Sequence, residues 1–256
     1  MPPLKTSKAI SRLQQQQPVF GALQAIPSAA LTEITLWCGF DFIILDCEHG
    51  VLDEPSLLAS LQVISGTDAF SIVRVKAGDF GAVGRYLDFG ANGILLPDVR
   101  NVSEARAFVA AATHGAQGTR SSSGNGSRAQ RYGLAGHQPE AALLLAMIEG
   151  SEAVSNIDAI ASVPGLAGLV IGPHDLAADL GTPGDFSTAT YQAAFSQVEQ
   201  AALRAGILLG SRTHAGFCVE RLLAAGHRFI LTSGDIAALR DGYRAHLDAV
   251  RGAQSL

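Results

Sequence analysis

The stretch LLLAMIEGSEAVSNIDAIASVPGLAGLVIGPHD, residues 143–175, contains two short apolar runs separated by a segment with helical character. The runs 143–148 and 169–171 predict two buried parallel strands joined by a crossover helix. Glu149 ends the first run and Asp175 follows the second. Because neighbouring parallel strands lie about 4.8 Å apart, we expect the two carboxylates to converge. The pair suits a hard divalent cation, although either residue alone is better explained as a polar end to a buried strand.

The same alternation of apolar runs and helices extends outward from this stretch in both directions. Predicted strands cover 19–23, 42–46, 71–75, 93–97, 143–148, 169–171, 207–209 and 228–232. They begin roughly 25–35 residues apart over most of the chain, a period typical of βα units that close into a barrel. A doubly wound sheet requires a glycine-rich turn after an early strand, and residues 21–23 lack it. We therefore predict a single (β/α)8 TIM barrel over residues 1–256.

Composition excludes several classes of function. The chain has 256 residues, of which 48% are apolar and only 16% charged, so a large core is expected. A net charge of −5 without a basic cluster argues against nucleic acid as a partner. The sequence shows neither a secretory leader nor an apolar run long enough to span a membrane. Its three cysteines lack metal-binding spacing, which favours the reducing cytoplasm.

Charged side chains at the predicted strand ends are candidates for chemistry, because TIM barrels carry their sites on the C-terminal face. Asp46 precedes His49 by three residues, so we expect its carboxylate to orient the imidazole as a proton shuttle. The alternative is a loop histidine bonded to backbone. Arg74 lies inside an apolar strand and needs an anionic partner, which is either a structural carboxylate or a substrate anion. Arg212 and Asp235 end the last two strands.

A segment rich in Gly, Ser and Arg lies between residues 114 and 140. It is too long for an ordinary αβ connection, which indicates a functional or interfacial role. Residues 118–133 bind phosphate or serve as a flexible connection, and the sequence does not separate these alternatives. The segment lacks the GK[ST] ending of a P-loop, which argues against nucleotide binding.

Several of these motifs occur in the order found in one enzyme family. The chain resembles the metal-dependent (class II) pyruvate aldolases of the 4-hydroxy-2-oxoheptanedioate aldolase and citrate lyase β-subunit family, over nearly its whole length. The resemblance rests on FDFIILDCEH (40–49), VRV (73–75), GILLP (93–97), GTR (118–120), MIE (147–149) and IGPHDL (171–176). It implies a (β/α)8 barrel and a lyase that works through an enolate.

The resemblance also implies roles for the strand-end residues. Glu149 and Asp175 would bind Mg²⁺, Mn²⁺ or Co²⁺, and Arg74 would contact the keto oxygen of the substrate and stabilise the enolate. Asp46 and His49 would move protons. The substrate carboxylate would be held by the segment formed by Gly172, Pro173, His174 and Asp175.

The chain departs from the family on the side that receives the aldehyde. Met147 stands where many members have glutamine, and Leu23 stands where a large aromatic residue is common. The run after Arg120, which includes Ser123, also differs from the usual sequence. With Arg212, these residues form the predicted acceptor side. The identity of the aldehyde is therefore open.

The resemblance further implies a homo-oligomer, a trimer of dimers that exchanges its C-terminal helix between subunits. The predicted final helix carries an apolar stripe that suits this exchange but also suits packing on its own barrel. The stripe consists of Ile236, Leu239, Tyr243, Leu247 and Val250.

The predicted activity is reversible aldol cleavage of 4-hydroxy-2-oxo acids to pyruvate and an aldehyde. A lyase or synthase that acts on citrate, a CoA ester or oxaloacetate is an alternative within the same superfamily. A non-catalytic ligand-binding barrel is an alternative of another class. Small molecules are the expected partners in all three cases.

Overall fold

Eight parallel strands close into a barrel in a computed structural model that describes residues 7–122, 126–134 and 142–253. Each strand pairs with the next, and β1 pairs with β8 to complete the ring. The predicted (β/α)8 barrel is therefore confirmed. The strands are β1 (Val19–Gln24), β2 (Phe42–Asp46), β3 (Phe70–Arg74), β4 (Gly93–Leu96), β5 (Leu143–Ile148), β6 (Gly168–Ile171), β7 (Leu208–Arg212) and β8 (Phe229–Gly234).

Helices surround this barrel, except that Ala9 and Leu13 of the first helix pack on the core inside it. They are α1 (Lys8–Gln14), α2 (Ala29–Trp37), α3 (Glu54–Ile64), α4 (Phe80–Asp88), α5 (Val102–Ala112), α6 (Ser151–Ser155), α7 (Ile157–Ala161), α8 (Pro173–Asp179), α9 (Ala189–Ala205), α10 (Val219–Ala224) and α11 (Asp235–Ala253). In the ranges that the structure describes, no helix is both long and apolar enough to cross a bilayer.

Local sequence explains where several helices begin and end. The side chains of Ser28 and Asp53 accept hydrogen bonds from backbone N–H groups in the first turns of α2 and α3. Thr188 does the same for α9, and Gly206 ends that helix with a positive φ of 66°. The predicted crossover helix over 151–161 is two short helices, α6 and α7, which meet at Asn156.

The alternation of side chains along each strand produces two apolar cores. One lies inside the barrel, where the ring of Phe42 stacks on Phe229 with 4.0 Å between ring centroids and on Phe70 with 5.4 Å. The other lies between the barrel and its helices. Aromatic rings fill the lumen at the strand beginnings, whereas the candidate site residues lie at the strand ends.

Two strand boundaries differ from the sequence prediction in a way that matters for the site. Strand β3 ends at Arg74 and not one residue later, and β7 extends to Arg212 although the apolar run stops at Leu209. Backbone pairing with β6 and β8 continues through Gly210, Ser211 and Arg212. A strand end that contains glycine, serine and arginine has no apolar pattern to reveal it.

Candidate active site

Glu149 and Asp175 meet at the C-terminal mouth of the barrel. Glu149 directly follows β5, and Asp175 lies in the first turn of α8, which follows β6. The Asp175 carboxylate is close enough to Glu149 to raise the pKa of Glu149. The Oε2 atom of Glu149 also accepts a hydrogen bond from the backbone N–H of Asp98 at 2.8 Å. Asp98, which follows β4, adopts a strained φ of 52°. This backbone conformation directs the N–H group of Asp98 toward Glu149.

The charge state of this pair is suited to a cation. Burial raises the pKa of Glu149 to about 7; the hydrogen bond from Asp98 opposes that rise, and the negative charges of Asp175 and Glu48 add to it. Two converging oxygen donors that repel each other are the donor set that a hard divalent ion stabilises. Among the residues that the structure describes, no group of three or more His, Cys, Asp or Glu side chains is arranged around a metal position. The pair would thus supply two ligands and leave the other positions to water and substrate.

Gly172 makes room for the Glu149 side chain. A Cβ atom at residue 172 would lie 2.6 Å from Oε1 of Glu149 and 3.0 Å from the terminal methyl of Met147. Both distances are below ordinary contact, so glycine is required for this approach. Pro173 then opens α8 at its first position, and the next two residues, His174 and Asp175, complete the first turn.

Arg74 is buried and held by carboxylates on β2 and on the loop after it. Its Nε and Nη2 atoms donate to the two carboxylate oxygens of Asp46 at 2.9 Å and 2.8 Å, and its Nη1 lies 3.3 Å from Oε2 of Glu48. Burial alone would raise the pKa of Asp46, but Arg74 outweighs it and holds that pKa below its usual value. Arg74 therefore has a structural carboxylate partner, and the paired hydrogen bonds to Asp46 orient its guanidinium.

The predicted contact between Asp46 and the imidazole of His49 is wrong. Asp46 accepts hydrogen bonds from the backbone N–H groups of Glu48 and His49, at 3.1 Å and 3.3 Å, and its two oxygens are committed to Arg74. The imidazole Nε2 of His49 instead lies 3.6 Å from Oε2 of Glu48, and the His49 side chain is 72% exposed. The carboxylate beside the imidazole is therefore that of Glu48.

Glu48 is a site residue that the sequence analysis missed. Burial raises its pKa, the charges of Arg74 and His49 oppose that rise, and the nearby negative charges of Asp46 and Asp175 add to it. Glu48 thus links the Arg74 region to the Glu149–Asp175 pair. The available signal was its place between Asp46 and His49 after a buried strand, where any carboxylate faces the barrel mouth.

Arg212 lies on the strand opposite Arg74 in the ring, and Leu23 lies on β1, two strands from each of them. Leu23 is partly buried against the inner core, next to β8, where it pairs with Gly234. Arg212 ends β7 and is paired across the sheet with Leu231. Met147 ends near the position that a side chain on Gly172 would occupy. These three predicted acceptor-side residues all belong to the mouth of this barrel.

Arg120 does not belong to the mouth of its own barrel. Its Nη2 donates to Asp88 at 2.6 Å, at the C-terminal end of α4. Arg128 of the same segment bonds the hydroxyl of Ser65 and the carbonyl of Phe89, which follow α3 and α4. Helices in such barrels run against the strands, so these contacts lie on the N-terminal face. The predicted placement of Arg120 is therefore wrong within one chain, and Ser123 lies outside the described residues.

Asp235 has a structural role at the start of α11. Its Oδ2 atom accepts the backbone N–H groups of Ala25 and Ile26 at 2.9 Å and 2.8 Å. This ties the loop after β1 to the end of β8 and fixes the rim of the mouth beside Leu23.

A closed parallel barrel with acidic and arginine side chains collected at its C-terminal mouth is the architecture of a (β/α)8 enzyme. The model of the HpcH/HpaI aldolase/citrate lyase family matches residues 24–240. The chain belongs to that family. The predicted fold and family are thereby confirmed, as is the assignment to the aldolases, while dependence on a divalent metal stays a prediction.

Individual relatives agree with this assignment. The chain is 34% identical to a hydroxypyruvate/pyruvate aldolase of Sagittula stellata, over 93% of this chain and 94% of that protein. It is 36% identical to a 4-hydroxy-2-oxovalerate aldolase of Rhodococcus jostii, over 82% and 83% of the two chains. The crystal structure of an HpcH/HpaI aldolase/citrate lyase family protein from Burkholderia cenocepacia superposes with a TM-score of 0.88 at 26% identity, covering 96% of this chain and all of that one.

Proposed function

We propose that the chain catalyses reversible aldol cleavage of 4-hydroxy-2-oxo acids to pyruvate and an aldehyde, with Mg²⁺, Mn²⁺ or Co²⁺ held by Glu149 and Asp175. The observation that carries the proposal is the convergence of these two carboxylates at the mouth of a barrel in an aldolase family. Relatives named for pyruvate and for 4-hydroxy-2-oxovalerate support the choice of substrate.

The residues around the pair are suited to holding a 2-oxo acid. When bound there, the cation polarises the keto group and lowers the energy of the enolate. Arg74, oriented by Asp46, presents a fixed positive charge to the same oxygen at no cost in reorganisation. The backbone N–H groups of His174 and Asp175 lie in the first turn of α8, after Gly172 and Pro173, and remain available to the substrate carboxylate.

His49 and Glu48 are placed to handle the protons of the reaction. Cleavage breaks the bond between C3 and C4, leaves its electron pair on the enolate and releases the proton of the C4 hydroxyl. In the proposed step His49 accepts that proton, and Glu48, 3.6 Å away, stabilises the imidazolium that forms. The proton then returns to C3 of the enolate, which gives pyruvate.

The first test is removal of the metal. Treatment of the purified chain with EDTA should abolish formation of aldol product from pyruvate and an aldehyde, and Mn²⁺, Co²⁺ or Mg²⁺ should restore it. Calorimetry should show that Glu149→Gln and Asp175→Asn remain folded but lose Mn²⁺ binding. Glu152→Gln, on an exposed carboxylate of α6, is the matched control and should bind Mn²⁺ like the wild type. Undiminished turnover in metal-free protein would refute the proposed metal chemistry.

Assays of the same purified chain distinguish the two alternative functions. Turnover of a CoA thioester, citrate or oxaloacetate, without turnover of any aldehyde, would indicate the superfamily alternative. Binding of pyruvate without exchange of its methyl protons with solvent would indicate a non-catalytic barrel. The homo-oligomeric assembly and the cytoplasmic location stay predictions.

A further inference from the structure

Arg212 stands out among the arginines by its position. It is the last residue of β7, and it shares a face of that strand with Leu208, which packs on the core inside the barrel. Side chains two apart along a strand point to the same side, so Arg212 faces the lumen at the C-terminal mouth. Its side chain is partly buried there. A guanidinium in such a position requires a partner that neutralises it.

The described residues supply no such partner. The guanidinium of Arg212 has no hydrogen bond or ion pair with any residue in the ranges that the structure describes. Other half-buried or buried arginines differ: Arg12 pairs with Asp41, Arg74 with Asp46 and Arg120 with Asp88. Arg128 and Arg228 are bonded to carbonyl groups. Among the described residues the charge of Arg212 is thus unpaired and available to a bound anion.

The backbone of Arg212 is held in place from behind. Its carbonyl accepts a hydrogen bond from Nδ1 of His214 at 2.8 Å, and a carbonyl can only accept, so Nδ1 carries a proton. The opposite nitrogen, Nε2, lies 2.9 Å from the hydroxyl of Tyr191. The His214 ring also stacks on Phe217, with 4.2 Å between centroids and 14° between planes. This aromatic support makes the end of β7 rigid, as a recognition position requires.

The place of β7 in the ring relates Arg212 to the proposed substrate. Strand β6 lies between β7 and β5. Ile171 of β6 pairs with Ser211, so the next residue, Gly172, lies beside Arg212 and has no side chain to separate Arg212 from Glu149. Arg74, on β3, lies four strands away across the mouth. A 2-oxo acid bound between the carboxylate pair and Arg74 would therefore direct its far end toward β7.

We propose that Arg212 determines substrate specificity by binding an anionic group, a carboxylate or a phosphate, at the far end of the aldehyde part of the substrate. The inference rests on the proposed function, because it assigns the acceptor side of the same reaction. A guanidinium forms paired hydrogen bonds with both carboxylate and phosphate oxygens, so the two sources share one chemistry. Leu23, on β1 two strands from Arg212, offers no competing charge.

The test compares charged aldehydes with neutral ones of similar size. The purified full-length chain is given pyruvate, Mn²⁺ and one aldehyde, either succinic semialdehyde against butanal or glyceraldehyde 3-phosphate against glyceraldehyde. The measured quantity is the ratio of kcat/KM for the charged aldehyde to kcat/KM for its neutral counterpart. We expect Arg212→Met to lower this ratio by about 10- to 100-fold, as loss of a charge-assisted hydrogen bond does.

Two further variants make the result specific. Arg212→Lys keeps the charge but loses the paired geometry, so its ratio should fall between those of the wild type and Arg212→Met. Arg106→Met removes an exposed arginine of α5 and should leave the ratio unchanged. If Arg212→Met does not fold, Arg212→Lys decides. A folded Lys variant with the same ratio as the wild type contradicts the inference, and so does a wild type without any preference for the charged aldehyde.

The outcomes separate this inference from the function on which it depends. A preference for the carboxylate or for the phosphate that falls in Arg212→Met supports the inference and identifies the anion. An active wild type with equal ratios in both proteins overturns the role of Arg212 and leaves the aldolase standing. Failure of the wild type to exchange the methyl protons of pyruvate, and to form product with all four aldehydes, refutes the proposed function itself.

Discussion

Arg74 keeps its charge inside the barrel mouth because Asp46 binds it with two oxygens and Glu48 lies on its remaining side. Only 11% of the Arg74 side chain and 2% of the Asp46 side chain are exposed, so water does little to screen the pair. Removing one partner of such a pair leaves a buried charge without compensation. The same contacts that orient Arg74 therefore also contribute to stability.

The first prediction at this scale compares Asp46 with His49. Asp46→Asn should lower the free energy of unfolding by about 2–3 kcal/mol, because Arg74 then keeps only Glu48 as a counter-charge. His49→Ala should leave the unfolding free energy within about 0.5 kcal/mol of the wild type, since its side chain is largely exposed. It should, however, slow the exchange of pyruvate methyl protons by about 100-fold or more. Urea unfolding and proton NMR measure the two effects.

The opposite pattern would contradict this assignment. A strongly destabilised His49→Ala protein, or an Asp46→Asn protein as stable as the wild type, would place the structural carboxylate elsewhere. Wild-type exchange rates in His49→Ala would assign the base to another group, of which Glu48 is the nearest.

Which site residues the sequence could predict depends on how each is positioned. The positions of Glu149 and Arg74 at the barrel mouth were predictable because the ends of buried strands gather at one edge of the barrel. The contact between Asp46 and His49 was predicted wrongly, because the choice of partner depends on side-chain directions and Arg74 lies closer to the carboxylate. Arg120 was misplaced because its segment follows α5 and docks under helix ends. No local pattern encodes that docking.

At the scale of elements, strand β7 and the loop after it depend on His214. Burial lowers the pKa of His214 to about 4, and the hydrogen bond to the carbonyl of Arg212 opposes that shift. The folded state thus favours the neutral ring, while the unfolded chain protonates an ordinary histidine near pH 6.5. The stabilising contribution is present in full above about pH 6.5 and is lost as the pH falls toward 4.

The prediction for this element is a difference in pH dependence. Between pH 7 and pH 4.5 the wild type should lose about 1–2 kcal/mol more unfolding free energy than His214→Asn, with the half-exposure of the ring limiting the effect. Asparagine keeps a donor near the position of Nδ1 and does not titrate, so it preserves the contact with Arg212. Urea titrations at several pH values measure the difference. His246→Asn, on exposed α11, is the control and should follow the wild type.

Parallel pH curves for the wild type and His214→Asn would show that folding does not lower the pKa of His214. The tautomer that holds the carbonyl of Arg212 would then need another explanation.

The alternation of strands and helices was predictable for most elements because apolar periodicity marks them. The end of β7 was not, because backbone pairing and this histidine define it.

At the scale of the whole molecule, α11 presents an apolar stripe to solvent. Its members are between 38% and 73% exposed: Ile236, Leu239, Tyr243, Leu247 and Val250. The structure thus places the stripe off its own barrel core, although the sequence left both arrangements open. Contiguous exposed apolar surface of this kind marks an interaction site. The predicted trimer of dimers, with α11 packed on a neighbouring copy, would bury it.

The last prediction is that the stripe mediates assembly of the chain with copies of itself. Light scattering at micromolar concentration should give about six times the chain mass of 26.5 kDa. Leu247→Asp should shift the protein toward smaller species, because burying an unpaired carboxylate at an apolar contact is costly. Ala245→Asp introduces the same charge on the opposite side of α11 and should keep the wild-type mass. A monomeric wild type, or equal dissociation by both substitutions, would show that the stripe does not carry the interface.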